Sequence, residues 1–118
     1  MLKLNLPVPP SVNAAFVNRR GGKGRGRIKS RSYQRWLNDA DMFYYVQQLG
    51  TVSKIKAAYR VSILLPSSVR GDIDNRIKLI LDWLVSRELT PDDSLCKSIE
   101  IRKEPTGVNL MWVTVHDA

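Results

Sequence analysis

The stretch KIKAAYRVSILLPSSVRGDIDNRIKLILDWLVS, residues 54–86, carries the reading on which the fold turns. In its first half Ile55, Ala57, Tyr59, Val61, Ile63 and Leu65 alternate with Lys56, Ala58, Arg60, Ser62 and Leu64. A period of two puts one set on a buried face, so a long strand is expected over 54–65. Pro66-Ser67-Ser68 breaks it, because proline has no N–H to give to a ladder. In the second half Ile77, Ile80, Leu81 and Leu84 recur at helical spacing and predict a helix from about Asn75 to Ser86. Trp83 falls off that stripe and is expected at a subunit contact.

Working outward, Leu2, Leu4 and Leu6 alternate with Lys3 and Asn5, an opening strand that Pro7, Pro9 and Pro10 end. Residues 19–29 interleave Gly21, Gly22, Gly24 and Gly26 with Arg and Lys, and glycine at this density disfavours helix and strand alike. A flexible basic arm is expected there. Ser30 or Ser32 then offers an N-cap. Tyr33, Trp36, Leu37, Ala40, Tyr44 and Gln47 or Gln48 follow at helical spacing, with Gly50 as a natural stop. The aromatic group Trp36, Phe43, Tyr44 and Tyr45 is read as core, as a dimer surface or as a platform for stacking bases. Thr90-Pro91-Asp92-Asp93 is a loop. Leu95 to Lys103 and Val108 to Val115 are strands joined at Glu104-Pro105-Thr106-Gly107, a turn by composition. The fold class expected is α/β in the α+β sense. A single domain over 1–118 holds a small, largely antiparallel mixed sheet with two packed helices, in the order β-α-β-α-β-β.

The chain has 118 residues, net charge +8 and one cysteine. That length supports a core without disulfides or a structural metal. No apolar run approaches the ~20 residues of a membrane span, and the N-terminus has no signal-peptide pattern, so a cytoplasmic protein with no membrane partner is expected. Residues 1–38 hold nine basic side chains and no acid, while all eleven acids lie from Asp39 onward. A basic block of this kind points to a polyanion partner. His116 is the only histidine, which argues against zinc and histidine-metal chemistry. Cys96 reads as a small strand hydrophobe.

Against that basic background, Arg70-Gly71-Asp72-Ile73-Asp74-Asn75-Arg76-Ile77-Lys78 sets two carboxylates two residues apart. In extended backbone both face one small volume, where they repel unless a cation neutralises them. Mg²⁺ prefers such oxygens and keeps waters that serve phosphodiester hydrolysis. Asp92-Asp93 supplies a further acidic position if its loop returns to the same end of the sheet. Lys78 lies four residues after Asp74, placed to hold Asp74, a phosphate or a leaving oxygen. The plainer alternatives stay open here: Asp74 as a helix cap, Asp72 as a turn residue, Asp74–Lys78 as a surface pair.

Three segments in order resemble the RusA family of Holliday junction resolvases, small endodeoxyribonucleases of bacteria and their phages. Leu6-Pro7-Val8-Pro9-Pro10-Ser11-Val12-Asn13 is similar to the family's opening Pro-Pro-Ser motif. Asp72-Ile73-Asp74-Asn75-Arg76-Ile77-Lys78 is similar to its Asp-x-Asp-Asn-x-x-Lys core. Asp92-Asp93 stands at its third acidic position. The resemblance implies cleavage of four-way DNA junctions by a homodimer that nicks opposing strands, with Mg²⁺ as cofactor (Mn²⁺ as substitute) and no small-molecule cofactor. Such chemistry serves DNA recombination and repair. It implies Asp72, Asp74 and Asp93 as metal-binding catalytic carboxylates, with Asp93 favoured over Asp92, and Lys78 as the catalytic lysine. The expected DNA contacts are Asn13, Arg19, Arg20, Lys23, Arg25, Arg27, Lys29, Arg70 and Arg76. The arm is richer in glycine and basic residues than in the better-known member. The competing reading is a non-catalytic basic nucleic-acid-binding module of a phage or prophage, and a third keeps the nuclease with flaps, forks or RNA as substrate.

Overall fold

The computed structural model describes residues 1–18, 27–47, 54–71, 73–105 and 109–118. A four-stranded sheet is its frame, built from β1 (Leu2–Pro7), β4 (Tyr59–Pro66), β5 (Cys96–Glu104) and β6 (Leu110–Asp117) in the order β1-β6-β4-β5. β1 and β4 both run antiparallel to β6, whereas β5 runs parallel to β4. The sheet is therefore mixed and largely antiparallel, as expected. Leu2, Leu4, Leu6, Val61, Ile63, Met111, Val113 and Val115 fill its helix-covered face. Lys3, Ser62, Trp112 and Thr114 line a hollow on the other.

Two helices cover the buried face. In α2 (Arg31–Gln47), Tyr33, Trp36, Ala40 and Tyr44 point inward at the expected spacing. Ser30 is its cap: the Ser30 hydroxyl accepts the Tyr33 N–H at 3.2 Å. The expected stop at Gly50 lies outside the described residues. α3 (Ile77–Ser86) follows a 3-10 turn over Ile73–Arg76. Trp83 corrects the sequence reading, since it is 1% exposed and belongs to the core. Its Nε1–H donates to Asp41 Oδ1 at 2.9 Å, and its ring meets Tyr44 edge-on. Arg87 Nε lies 3.3 Å from the same oxygen. With the sheet on one side and α2 on another, α3 buries a wider arc than its single stripe implied.

Three further differences bear on function. The strand expected from Lys54 begins at Tyr59, where its partners β5 and β6 begin and end. Beyond it one bond continues, from Ala118 N–H to Ala58 O. A short α1 (Val12–Ala15) and a hairpin of β2 (Phe16–Asn18) with β3 (Arg27–Lys29) precede α2. The expected arm over 19–29 thus ends in a strand, while residues 19–26 lie outside the described set. Finally, β5 and β6 are not neighbours although they are consecutive, because β4 lies between them.

Candidate active site

The chain leaves β4 at Pro66 and turns at once: Ser67 N–H bonds Glu104 O, and Val69 N–H bonds Pro66 O. Gly71 has φ +88°, a left-handed conformation that a side chain disfavours. Two cations hold the carbonyls of this loop. Lys103 Nζ donates to Val69 O at 2.8 Å and to Gly71 O at 3.1 Å. Arg76 donates from Nη1 to Arg70 O at 3.2 Å and from Nε to Pro9 O at 3.0 Å. The proline segment is thereby stapled to the loop. A groove of about 410 Å³ runs beside the staple, lined by Pro9, Pro10, Arg35, Trp36, Asp39 and Arg76 among others.

This arrangement places the expected site residues unevenly. Asp72 lies outside the described residues. Asp74 is exposed in the 3-10 turn, and no cation pairs with it among the described residues. Nor does it cap α3: the cap position is Arg76, with no side-chain cap bond. Lys78 pairs with Asp82 at 3.5 Å. Asp74 precedes the first α-helical turn and sits in a tighter 3-10 winding, out of the i,i+4 register that Asp82 satisfies. Arg70 is exposed, while two nitrogens of Arg76 are committed to backbone carbonyls. Asn13 is exposed on α1, and the Lys29 ammonium sits 5.6 Å from the centroid of the Tyr33 ring. The side chain of Arg27 and all of Arg19, Arg20, Lys23 and Arg25 fall outside the described set.

Asp93 opens a 3-10 turn over Asp93–Leu95, just before β5. Ser94 Oγ–H donates to Asp92 Oδ2 at 2.7 Å and draws that carboxyl below its ordinary value. The neighbouring Asp93 side chain also acts on Asp92, with a smaller effect in the same direction. Tyr59, Thr90 and Cys96 surround this turn. Burial pushes the Tyr59 phenol and the Cys96 thiol up. The Thr90 hydroxyl lowers Tyr59 in part, yet neither buried oxygen has a partner in hydrogen-bond geometry, so burial is the dominant cause.

The expectation that the loop brings Asp93 back to Asp74 is corrected. β4 and β5 are parallel and paired from Tyr59↔Cys96 to Pro66↔Glu104, with one shift of register between Tyr59 and Arg60. A parallel crossover starts both strands at the same end, so Asp93 precedes β5 at one end and Asp74 follows β4 at the other. At roughly 3.3 Å per residue the strand between them is about 23 Å long. Among the described residues no three acidic, histidine or cysteine side chains converge on a metal-sized volume. The sequence reading also missed Lys103. Its sole signal was a basic residue at the helix-covered, otherwise apolar side of β5.

Comparison with known proteins decides the family. The Endodeoxyribonuclease RusA family model matches residues 7–116. The chain belongs to the RusA family. A crossover junction endodeoxyribonuclease RusA of Enterobacteria phage HK97 is 30% identical over 98 residues, 81% of this chain and 77% of that protein. The match to the RusA family spans the proline segment, the Asp74 turn and the Asp93 turn alike. This RusA-family chain is accordingly an endodeoxyribonuclease. Among its described residues no helix is long and apolar enough to cross a membrane.

Proposed function

We propose that this protein resolves four-way DNA junctions as a Mg²⁺-dependent homodimer, nicking opposing strands in recombination and repair. The observation that carries the reading is Asp74. An exposed carboxylate stands at the mouth of a loop clamped by Lys103 and Arg76, neither capping a helix nor paired with a described cation, in a chain of net charge +8. The donor set suits a hard cation, since Asp72, Asp74 and Asp93 offer only carboxylate oxygen. When bound, the ion supplies Lewis acidity for phosphodiester hydrolysis.

Because Asp74 and Asp93 lie at opposite ends of β4 and β5, the three carboxylates meet only if the partner's Asp93 joins Asp72 and Asp74. A homodimer then holds two such sites, one per strand to be cut. Lys78 and Arg70, both exposed, neutralise the phosphate and the leaving oxygen, and the arm and Lys29 hold the flanking backbone. Asp→Asn substitution at each of the three positions should abolish cutting of a labelled four-way junction and preserve or tighten its binding. Mixing Asp74→Asn with Asp93→Asn subunits should restore nicking, since one of the two shared sites in a mixed dimer is then intact. No restoration on mixing would place all three carboxylates in one chain. Normal cutting by all three single variants would overturn the assignment.

A further inference from the structure

The two edges of the sheet are treated differently. β1 is closed. Gln47 Oε1 accepts the Asn5 N–H at 2.7 Å, Gln47 Nε2 donates to Asn5 O at 2.5 Å, and Trp36 Nε1–H donates to Pro7 O at 2.8 Å. One side-chain amide therefore imitates a neighbouring strand at the centre of β1, and α2 holds it there. β5, a strand of nine residues, has no such cover among the described residues. Lys97, Ser98, Ile99 and Glu100 are consecutive and exposed. Among the described residues no side chain from another element takes a backbone group of 97–103. Unpaired strand edges are ready templates for another chain.

We infer that the free edge of β5 is the seam of the homodimer, with two copies joining their sheets antiparallel about a two-fold axis at Ile101. The inference rests on the homodimer proposed above and assigns the surface that makes it. An antiparallel copy lays the start of one β5 beside the end of the other. The partner's Asp93 turn then approaches the 69–74 loop, which Lys103 ties to the end of β5. No pairing that leaves the two β5 strands side by side in the same direction does this.

Charge and apolar surface support the register. With the axis at Ile101, Glu100 of each copy faces Arg102 of the other across the seam, giving the same complementary pair twice. Arg102 already lies 3.6 Å from Glu100 and 3.7 Å from Glu104 within its own strand, so it is held on the open face where the partner's acid arrives. Leu95 and Ile99, large apolar residues left 36% and 38% exposed, fall along the seam. The joined sheet has eight strands, within the range of open sheets.

The competing surface is an apolar hollow of about 780 Å³ at the β1 edge, lined by Met42, Phe43, Val46, Gln47, Leu110 and Trp112. Charge exchange separates the two. Light-scattering mass and sedimentation should show the wild type as a dimer. Glu100→Arg and Arg102→Glu should each weaken dimerisation by roughly tenfold or more, through two like-charge contacts per dimer. The double variant should recover the wild-type dissociation constant within a few-fold. All four proteins expose the altered side chains to solvent as monomers, and circular dichroism checks that they fold. A wild-type monomer at micromolar concentration overturns the seam. So does a dimer that ignores both single substitutions but is lost in Val46→Asp. The readout is mass, not cutting, so a seam that fails leaves the nuclease reading standing. A protein that dimerises as stated and never cuts DNA overturns only the latter.

Discussion

Lys103 shows how one side chain governs a site it does not enter. Its ammonium crosses from β5 to the carbonyls of Val69 and Gly71, on either side of Arg70 and just before the acidic pair. In Lys103→Met both carbonyls lose a charged donor; the exposed Gly71 oxygen turns to water, and the half-buried Val69 oxygen carries the cost, about 1 kcal/mol. The larger effect falls on the loop, which is then free to move the carboxylates. On the Mg²⁺ chemistry proposed above, the Mg²⁺ concentration for half-maximal cutting should rise, with junction affinity nearly unchanged, and Lys103→Arg should recover part of the loss. Equal metal dependence in Lys103→Met and wild type would reduce Lys103 to a surface lysine. Asp92 and Asp93 part ways at the same scale: the Ser94 hydroxyl donates to the first. Spacing named the pair, but only hydrogen bonding tells its members apart.

At the scale of elements, legibility followed the number of partners an element has. α2 faces one layer with one stripe, and Tyr33, Trp36, Ala40 and Tyr44 announced it. α3 is covered on two sides, so a stripe-based reading put Trp83 outside when it is inside. β2 and β3 were hidden because residues 19–26 carry the glycines, which masked the short strands flanking them. The parallel pairing of β4 with β5 was not legible either, since strand direction leaves no trace in alternation. That one feature separates Asp74 from Asp93. The arm belongs to this scale too. Replacing residues 19–26 by Asn-Gly closes β2 and β3 with a two-residue turn while removing Arg19, Arg20, Lys23 and Arg25. Junction affinity should fall, and its dependence on log salt should flatten by up to about 0.9 for each lost phosphate contact. Cutting at saturating protein should change far less. An unaltered salt slope would show that the arm does not touch DNA.

For the molecule as a whole, ionisation sets an alkaline limit. Burial raises the phenols of Tyr33 and Tyr59 and the thiol of Cys96 above their ordinary values. A raised folded value means the unfolded chain releases its proton first. The stability these groups contribute is therefore whole below the ordinary thiol and phenol range of about 8.5–10, and it drains away as pH climbs through the folded values. Urea midpoints measured upward from neutral pH should hold level and then decline. Tyr59→Phe should make that decline shallower. A profile identical in wild type and Tyr59→Phe would show that the phenol does not contribute.

The amide of Gln47 limits how far this protein can assemble. A sheet with two bare margins would invite copy after copy, margin to margin, into a ribbon with no natural end. By occupying Asn5 on both its donor and its acceptor, one glutamine leaves β5 as the open margin among the described residues. If β5 is the seam inferred above, growth through it stops at two, which is also the number of strands a junction must have cut.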